Sequence, residues 1–268
     1  MNTFNSLCGN TPLIRISDNL YGKLESYNPT GSVKDRVISF LIRKAIKNGE
    51  ITKDTILCEA TSGNTGISLS SAAASLGMKC KIFMPKNMSK ERRSMMTLFG
   101  AEIVDAPDND FEAAIKMRDE FLLDSKDAWS PMQISNMYNI ECHKTETAPE
   151  IRQQVEAEGH EWGAFIHGSG TGGTIEGIRQ YVSENKMNTI LCMTVPAEDP
   201  HGIQGIGDGK DFLAFPDKMH HVIKVPTDSA IDRAKKFAKD TGLLVGISSG
   251  ANIVAAEKFL SENNINGI

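Results

Sequence analysis

Three polar stretches hold the residue types that can do chemistry: Asn28-Pro-Thr-Gly-Ser-Val-Lys34-Asp-Arg36, Thr61-Ser-Gly-Asn-Thr-Gly66 and Gly168-Ser-Gly-Thr-Gly-Gly-Thr174. In the first, Pro29 and Gly31 force a turn, and Lys34 then opens a helix whose apolar face is Val33, Val37, Phe40 and Leu41. A helix N-terminus favours anions, so an ammonium there is poorly placed; the field and partial desolvation lower its pKa. Such an amine suits a Schiff base that must later act as a proton acceptor. The second stretch offers hydroxyls and N–H groups, neutral donors suited to a carboxylate. A helix cap alone would explain one or two of those hydroxyls but not the set. The third is a glycine run between strand and helix, whose N–H groups can turn inward at a helix N-terminus and hold a phosphate. No lysine precedes Thr174, so it is not the nucleotide P-loop, and no acidic residue ends the next strand at Val195, as a dinucleotide site requires. An amine, a carboxylate cradle and a phosphate cradle together are what an enzyme needs to work on an amino acid through pyridoxal phosphate (PLP).

The elements that must position these residues alternate along the chain. Strands are expected at 55–58, 80–84, 102–104, 163–167, 189–195 and 220–225. Helices are expected at 34–48, 66–76, 90–99, 110–123, 149–158, 174–184, 229–240 and 249–260. Helices between successive strands argue for an α/β fold with mostly parallel sheets covered on both faces. Binding loops then leave the carboxyl ends of strands, and glycines at strand ends in both halves suggest two α/β units. The loop-rich stretch 125–147 is the candidate boundary.

Composition excludes several classes. The 268 residues carry a net charge of −5 with both signs interspersed and no basic stripe, which argues against nucleic acid. There is no apolar run of membrane-spanning length and no signal-peptide pattern at the start. Cys8, Cys58, Cys80, Cys142 and Cys192 lack metal-site spacing, as do the six histidines; free buried thiols in a reducing cytoplasm are expected. Asp35 and Arg36 read as a solvated ion pair, and Trp129 and Trp162 as packing residues.

The three stretches, together with Met84-Pro-Lys-Asn-Met-Ser-Lys-Glu-Arg-Arg93, Gly246-Ile-Ser-Ser-Gly-Ala251 and Gly9-Asn-Thr-Pro-Leu13, resemble the cysteine synthase (O-acetylserine sulfhydrylase) and cystathionine β-synthase family of fold-type II PLP enzymes. The resemblance runs from about Gly9 to Leu260. It implies a tryptophan synthase β-like fold of two three-layer α/β/α domains with the active site in their cleft. The smaller, mobile domain would be 35–145; the larger, phosphate-binding one would be 1–34 with 146–268. Lys34 would carry PLP as a Schiff base and act as the catalytic amine, and Gly170, Thr171, Gly172, Gly173 and Thr174 would hold the cofactor phosphate. Asn64 would bond the PLP 3'-oxygen and Ser248 would face the pyridine nitrogen. Thr61, Ser62, Gly63 and Thr65 would receive the substrate carboxylate, with Gln133 beside it and Gly205 in a neighbouring loop.

The implied reaction is β-replacement, O-acetyl-L-serine plus sulfide giving L-cysteine plus acetate. Its rivals are a serine or threonine ammonia-lyase, replacement with O-phosphoserine or homocysteine, and a catalytically quiet regulatory paralogue. Gln133 and the Gly205–Gly209 loop favour the synthase. The family also implies a homodimer, for which an apolar N-terminal segment around Phe4 and Leu7 is a candidate contact, and a serine acetyltransferase-type partner. Departures from the family pattern are Ala60 in place of a proline, Val195-Pro-Ala-Glu198 in place of Val-Glu-Pro, and Asp208 in place of an alanine. These bear on the substrate more than on the cofactor.

Overall fold

The computed structural model describes residues 3–61, 63–207 and 213–263. In chain order the elements begin with α1 (Thr3–Leu7), β1 (Leu13–Ser17), β2 (Leu20–Lys23), α2 (Lys34–Lys47), β3 (Ile56–Ala60), α3 (Asn64–Leu76), β4 (Cys80–Pro85) and α4 (Lys90–Leu98). Next come β5 (Glu102–Ala106), α5 (Phe111–Asp124), β6 (Ala128–Trp129), α6 (Tyr138–Cys142), a π-helical turn at His143–Thr147, and α7 (Ala148–Ala157). The chain continues with β7 (Ala164–Gly168), α8 (Gly173–Glu184), β8 (Ile190–Pro196), β9 (His221–Val225), α9 (Thr227–Thr241) and α10 (Ile247–Glu262).

The chain divides into two compact units, one of residues 1–11 and 25–138, the other of 12–24 and 139–268. This division differs from the expected one at 34/35 and 145/146, and Lys34 falls in the first unit. The first unit is built on a parallel sheet of order β5-β4-β3-β6. Its strands are short, and the central two, β3 and β4, are mostly apolar and buried on both faces, as inner strands of a covered sheet should be. Leu57, Ile82 and Met84 point to one face, where they pack with Ile38 and Ile42 of α2 and Ile67 and Leu69 of α3. Cys58, Ala60 and Phe83 point to the other and pack with Ala114 and Phe121 of α5. Three layers result. From β3 the chain steps outward to β4 and β5, then returns to place β6 on the far side of β3. The β3–β6 pair is therefore the point where strand order reverses, the place in such sheets where loops leaving the carboxyl ends of strands characteristically bind ligands.

The second unit has a parallel sheet β7-β8-β9, again covered on both faces. Leu191 and Met193 of β8 meet Ile175 and Ile178 of α8 and Ile151 of α7 on one side. On the other, Cys192 and Val225 meet Ala230 of α9 and Ala251 and Phe259 of α10. The antiparallel hairpin β1–β2 was not expected from the sequence. Its Ile14, Ile16 and Leu20 cover Phe237 and Ile253 of α9 and α10. The stretch expected as a loop at 125–147 holds β6, α6 and the π-helical turn. Among the described residues no helix is long and apolar enough to cross a membrane.

Candidate active site

In the first unit Lys34 is the first residue of α2, as expected, and its side chain is half-buried. Burial holds its pKa below the ordinary lysine value, against the opposing pull of Glu25. The turn that presents it is held from below by residues the sequence reading misjudged. Asp35 and Arg36 are not a solvated pair: both are buried and each has other partners. The Asp35 carboxylate accepts from the Thr30 N–H at 2.7 Å and from its hydroxyl at 2.5 Å. Arg36 donates to both Glu25 carboxylate oxygens, at 2.7 and 2.9 Å, and to the Thr11 hydroxyl at 3.0 Å. Asn28 donates to Glu25 and accepts from the Gly9 N–H at 2.9 Å. Gly9 and Thr11 are thus neighbours of the Asn28–Arg36 motif, tied to it through Asn28 and Glu25. Spacing alone could not show this, because the partners lie 11 and 25 residues apart.

The second polar stretch leaves β3 and opens α3. Thr61 is buried, with its N–H on the Phe83 carbonyl at 3.0 Å and its hydroxyl accepting from the Gly63 N–H at 3.2 Å. Thr65 is buried and donates its hydroxyl to Gln133 Oε1 at 2.6 Å. Gln133 follows β6, so this bond spans the reversal point of the sheet. Gly66 is required by packing: a Cβ there would lie 2.7 Å from Met96 Cε and 2.7 Å from Thr61 Cγ2. Asn64, the first residue of α3, is exposed. A Cβ on Gly63 would stand 3.4 Å from the Arg92 guanidinium of α4, so a cation borders this loop. Ser62, expected at the carboxylate, lies outside the described residues.

In the second unit the glycine stretch connects β7 to α8. Gly172 has φ +85°, a left-handed conformation that a side chain would strain, and a Cβ there would meet Ala214 N at 2.4 Å. Among the described residues the N–H groups of Gly170, Thr171 and Gly172 have no acceptor, and the first turn of α8 adds further N–H groups of the same kind. Two hydroxyls join them. Asn139 donates to Thr171 Oγ1 at 3.1 Å, and His143 Nε2 lies 3.2 Å from Thr174 Oγ1, its Nδ1 being 3.0 Å from Thr147. The π-helical turn carrying His143 packs directly on α8, since a Cβ on Gly177 would meet His143 Cβ at 2.7 Å and Lys144 N at 2.9 Å. Sequence spacing gave no signal for Asn139 or His143.

Two further expected residues converge on this loop. A Cβ on Gly170 would lie 2.6 Å from the Gly205 carbonyl, and the Gly207 N–H donates to the Ser169 carbonyl at 2.6 Å. Ser248, in the first turn of α10, has its hydroxyl 3.9 Å from a Cβ built on Gly205. Gly205, Ser248 and the glycine stretch therefore form one cluster. Unpaired N–H donors, flanking hydroxyls and a helix N-terminus fit a phosphate monoester. Asp208 lies outside the described residues.

A protein-family model described as pyridoxal-phosphate dependent enzyme matches residues 5–267. The chain belongs to that family. It is a PLP-dependent enzyme of fold type II. It is 40% identical over 266 residues to cysteine synthase B of Campylobacter jejuni, covering 93% of this chain and 87% of that one. A crystal structure of a hydrogen sulfide-producing enzyme from Fusobacterium nucleatum matches with a TM-score of 0.91 and 37% identity, over 98% of this chain and 85% of that one. An O-acetylserine-dependent cystathionine β-synthase from Helicobacter pylori matches with a TM-score of 0.89 and 31% identity, over 98% of this chain and 91% of that one. In this PLP enzyme the thiols of Cys8, Cys58, Cys80 and Cys192 are pushed up to about 12 by burial. They are structural rather than nucleophilic.

Proposed function

We propose that, within the PLP-dependent β-replacement chemistry of its family, this chain makes L-cysteine and acetate from O-acetyl-L-serine and sulfide. Lys34 is the residue that holds the cofactor covalently, and Gly170 to Thr174 hold its phosphate. Asn64 and Ser248 serve its ring, and Thr61, Ser62, Gly63, Thr65, Gln133 and Gly205 serve the substrate. When bound, PLP supplies the electron sink that makes the substrate Cα–H acidic. The carboxylate loop fixes the amino acid so that Cα–H faces the Lys34 amine, which takes the proton. Burial lowers the pKa of that amine, which favours its neutral, basic form. The acetyl ester leaves Cβ with the C–O electron pair as acetate. The sulfide sulfur forms the new C–S bond, and Lys34 returns the proton to Cα.

The observation that carries this reading is the buried bond from Thr65 to Gln133, which joins the carboxylate loop to the glutamine that favours a synthase over an ammonia-lyase. Likeness to an enzyme that produces hydrogen sulfide and to one that makes cystathionine favours a second reading, the same replacement with another thiol or in the sulfide-releasing direction. The test is product partition: O-acetylserine with sulfide should yield cysteine and acetate in equal amounts. Pyruvate formed at one rate with or without sulfide would move the case to the lyase.

The same proposal places the enzyme in the cytoplasm, which its free cysteines suit, and has it act as a homodimer that can engage a serine acetyltransferase-type partner. Phe4 is not available for that dimer, since it is buried in the core of its own unit; Leu7 is exposed. Light scattering that gives a monomer at micromolar concentration would contradict the dimer.

A further inference from the structure

We infer that the buried ion pair Glu59–Arg118 positions Gln133, and through it the Thr65 hydroxyl, for recognition of the substrate carboxylate; this rests on the proposed role of the Thr61–Thr65 loop. Glu59 is the penultimate residue of β3 and Arg118 lies on α5, and they are 1% and 2% exposed. Arg118 Nη1 donates to Glu59 Oε1 at 2.6 Å. Two ions removed from water are costly, and an apolar pair of the same volume is often at least as stable. The pair's other bonds give it a purpose.

Glu59 Oε2 accepts the Gln133 N–H at 3.2 Å, and Oε1 also accepts the Ala60 N–H at 2.9 Å. Proline at position 60 would lack that donor. Arg118 Nη1 also reaches Ser130 Oγ at 3.5 Å, and that oxygen accepts the Met132 N–H at 3.3 Å. The segment 130–133, which leaves β6 beside β3, is therefore held at both ends by one ion pair. Its last residue presents a side-chain carbonyl that takes the Thr65 hydroxyl hydrogen at 2.6 Å. A carbonyl oxygen can only accept, so the Thr65 proton is committed to Gln133 and the hydroxyl cannot rotate freely. The same bond fixes which side of Gln133 bears its NH₂. Glu59 and Arg118 are positioning residues that act through Gln133. A donor array set before the substrate arrives spends no binding energy on ordering itself.

The experiment titrates PLP-loaded enzyme with L-alanine and with L-alaninamide, which lacks the carboxylate, following the visible absorption. The parent should prefer alanine. Two variants are compared: Arg118→Lys, which keeps the charge, and Glu59→Gln with Arg118→Met, which leaves no unpaired buried ion. Each should lose tenfold or more of the preference, order-of-magnitude what a misplaced hydrogen-bonding group costs, through weaker alanine binding, with alaninamide little changed. A preference kept within about twofold in both folded variants would overturn the inference alone. A parent with no preference would sink the reading of the loop itself. Failure of both variants to fold would also overturn it, since the pair would then serve the whole unit and not this segment.

Discussion

Replacing Gly173 by alanine is the sharpest test of how the phosphate loop is held. A Cβ there would lie 2.1 Å from Asn139 Oδ1 and 2.4 Å from its Cγ. Asn139 is 2% exposed and tied by its amide to Thr171 Oγ1, so it cannot retreat without losing that bond. Overpacking of this kind costs about 1–3 kcal/mol, and the lost hydrogen bond about 1 kcal/mol more. At ~2–4 °C per kcal/mol for a unit of this size, the apoprotein should melt roughly 5–15 °C lower. On the proposed phosphate role of this loop PLP affinity should fall as well, because the Thr171 hydroxyl loses the Asn139 bond that orients it. One misdirected charge-assisted donor is worth about 1.5–3 kcal/mol, or on the order of 10- to 150-fold in dissociation constant. Gly159→Ala is the control. That glycine is exposed with φ +80° and nothing within 4 Å of its Cβ, so it carries backbone strain of about 1 kcal/mol and no contact with the loop. Apoprotein melting and PLP titration by fluorescence would be read for both. If Gly173→Ala melts within about 2 °C of the control and binds PLP as the parent does, the packing argument fails.

Other outcomes follow from the same geometry. Lys34 has a folded pKa below its unfolded value, so between the two the unfolded chain binds more protons and apoprotein stability rises with pH. Lys34→Met removes that dependence: its melting temperature should exceed the parent's at low pH, with the gap closing as pH rises toward 10.5; a constant gap would contradict the burial of the ammonium. Arg36→Met leaves Glu25 without its cationic partner beside the Lys34 turn and should cost about 2–4 kcal/mol in urea unfolding. A loss under ~0.5 kcal/mol, as for a surface pair, would restore the solvated reading. Gln133→Ala should raise KM for O-acetylserine and shift product from cysteine toward pyruvate; unchanged partition would remove Gln133 from the substrate site.

What the sequence disclosed follows from where each signal resides. That the polar loops open helices was legible because local backbone demands set their residues: glycines where the chain turns tightly, hydroxyls where a helix begins. Strand and helix alternation was legible because the inner strands β3, β4 and β8 are mostly apolar. The β1–β2 hairpin was not, since its residues are half-buried and alternate over too short a span, and β6 is two residues long. The roles of Asp35 and Arg36 were misread because their chemistry depends on Thr30, Glu25 and Thr11. Glu59 and Arg118 are 59 residues apart and meet only because α5 packs back across β3. Long-range polar partners are set by topology, which composition and spacing do not encode.

The account turns on Lys34. The purified protein, loaded with PLP, should be yellow, and borohydride should bleach the visible band while fixing the cofactor to one lysine. Digestion and mass mapping should place the reduced pyridoxyl group on the peptide containing Lys34 and on no other. The label on any other lysine, or its persistence in Lys34→Ala, would contradict the assignment and with it the catalytic role given to this amine.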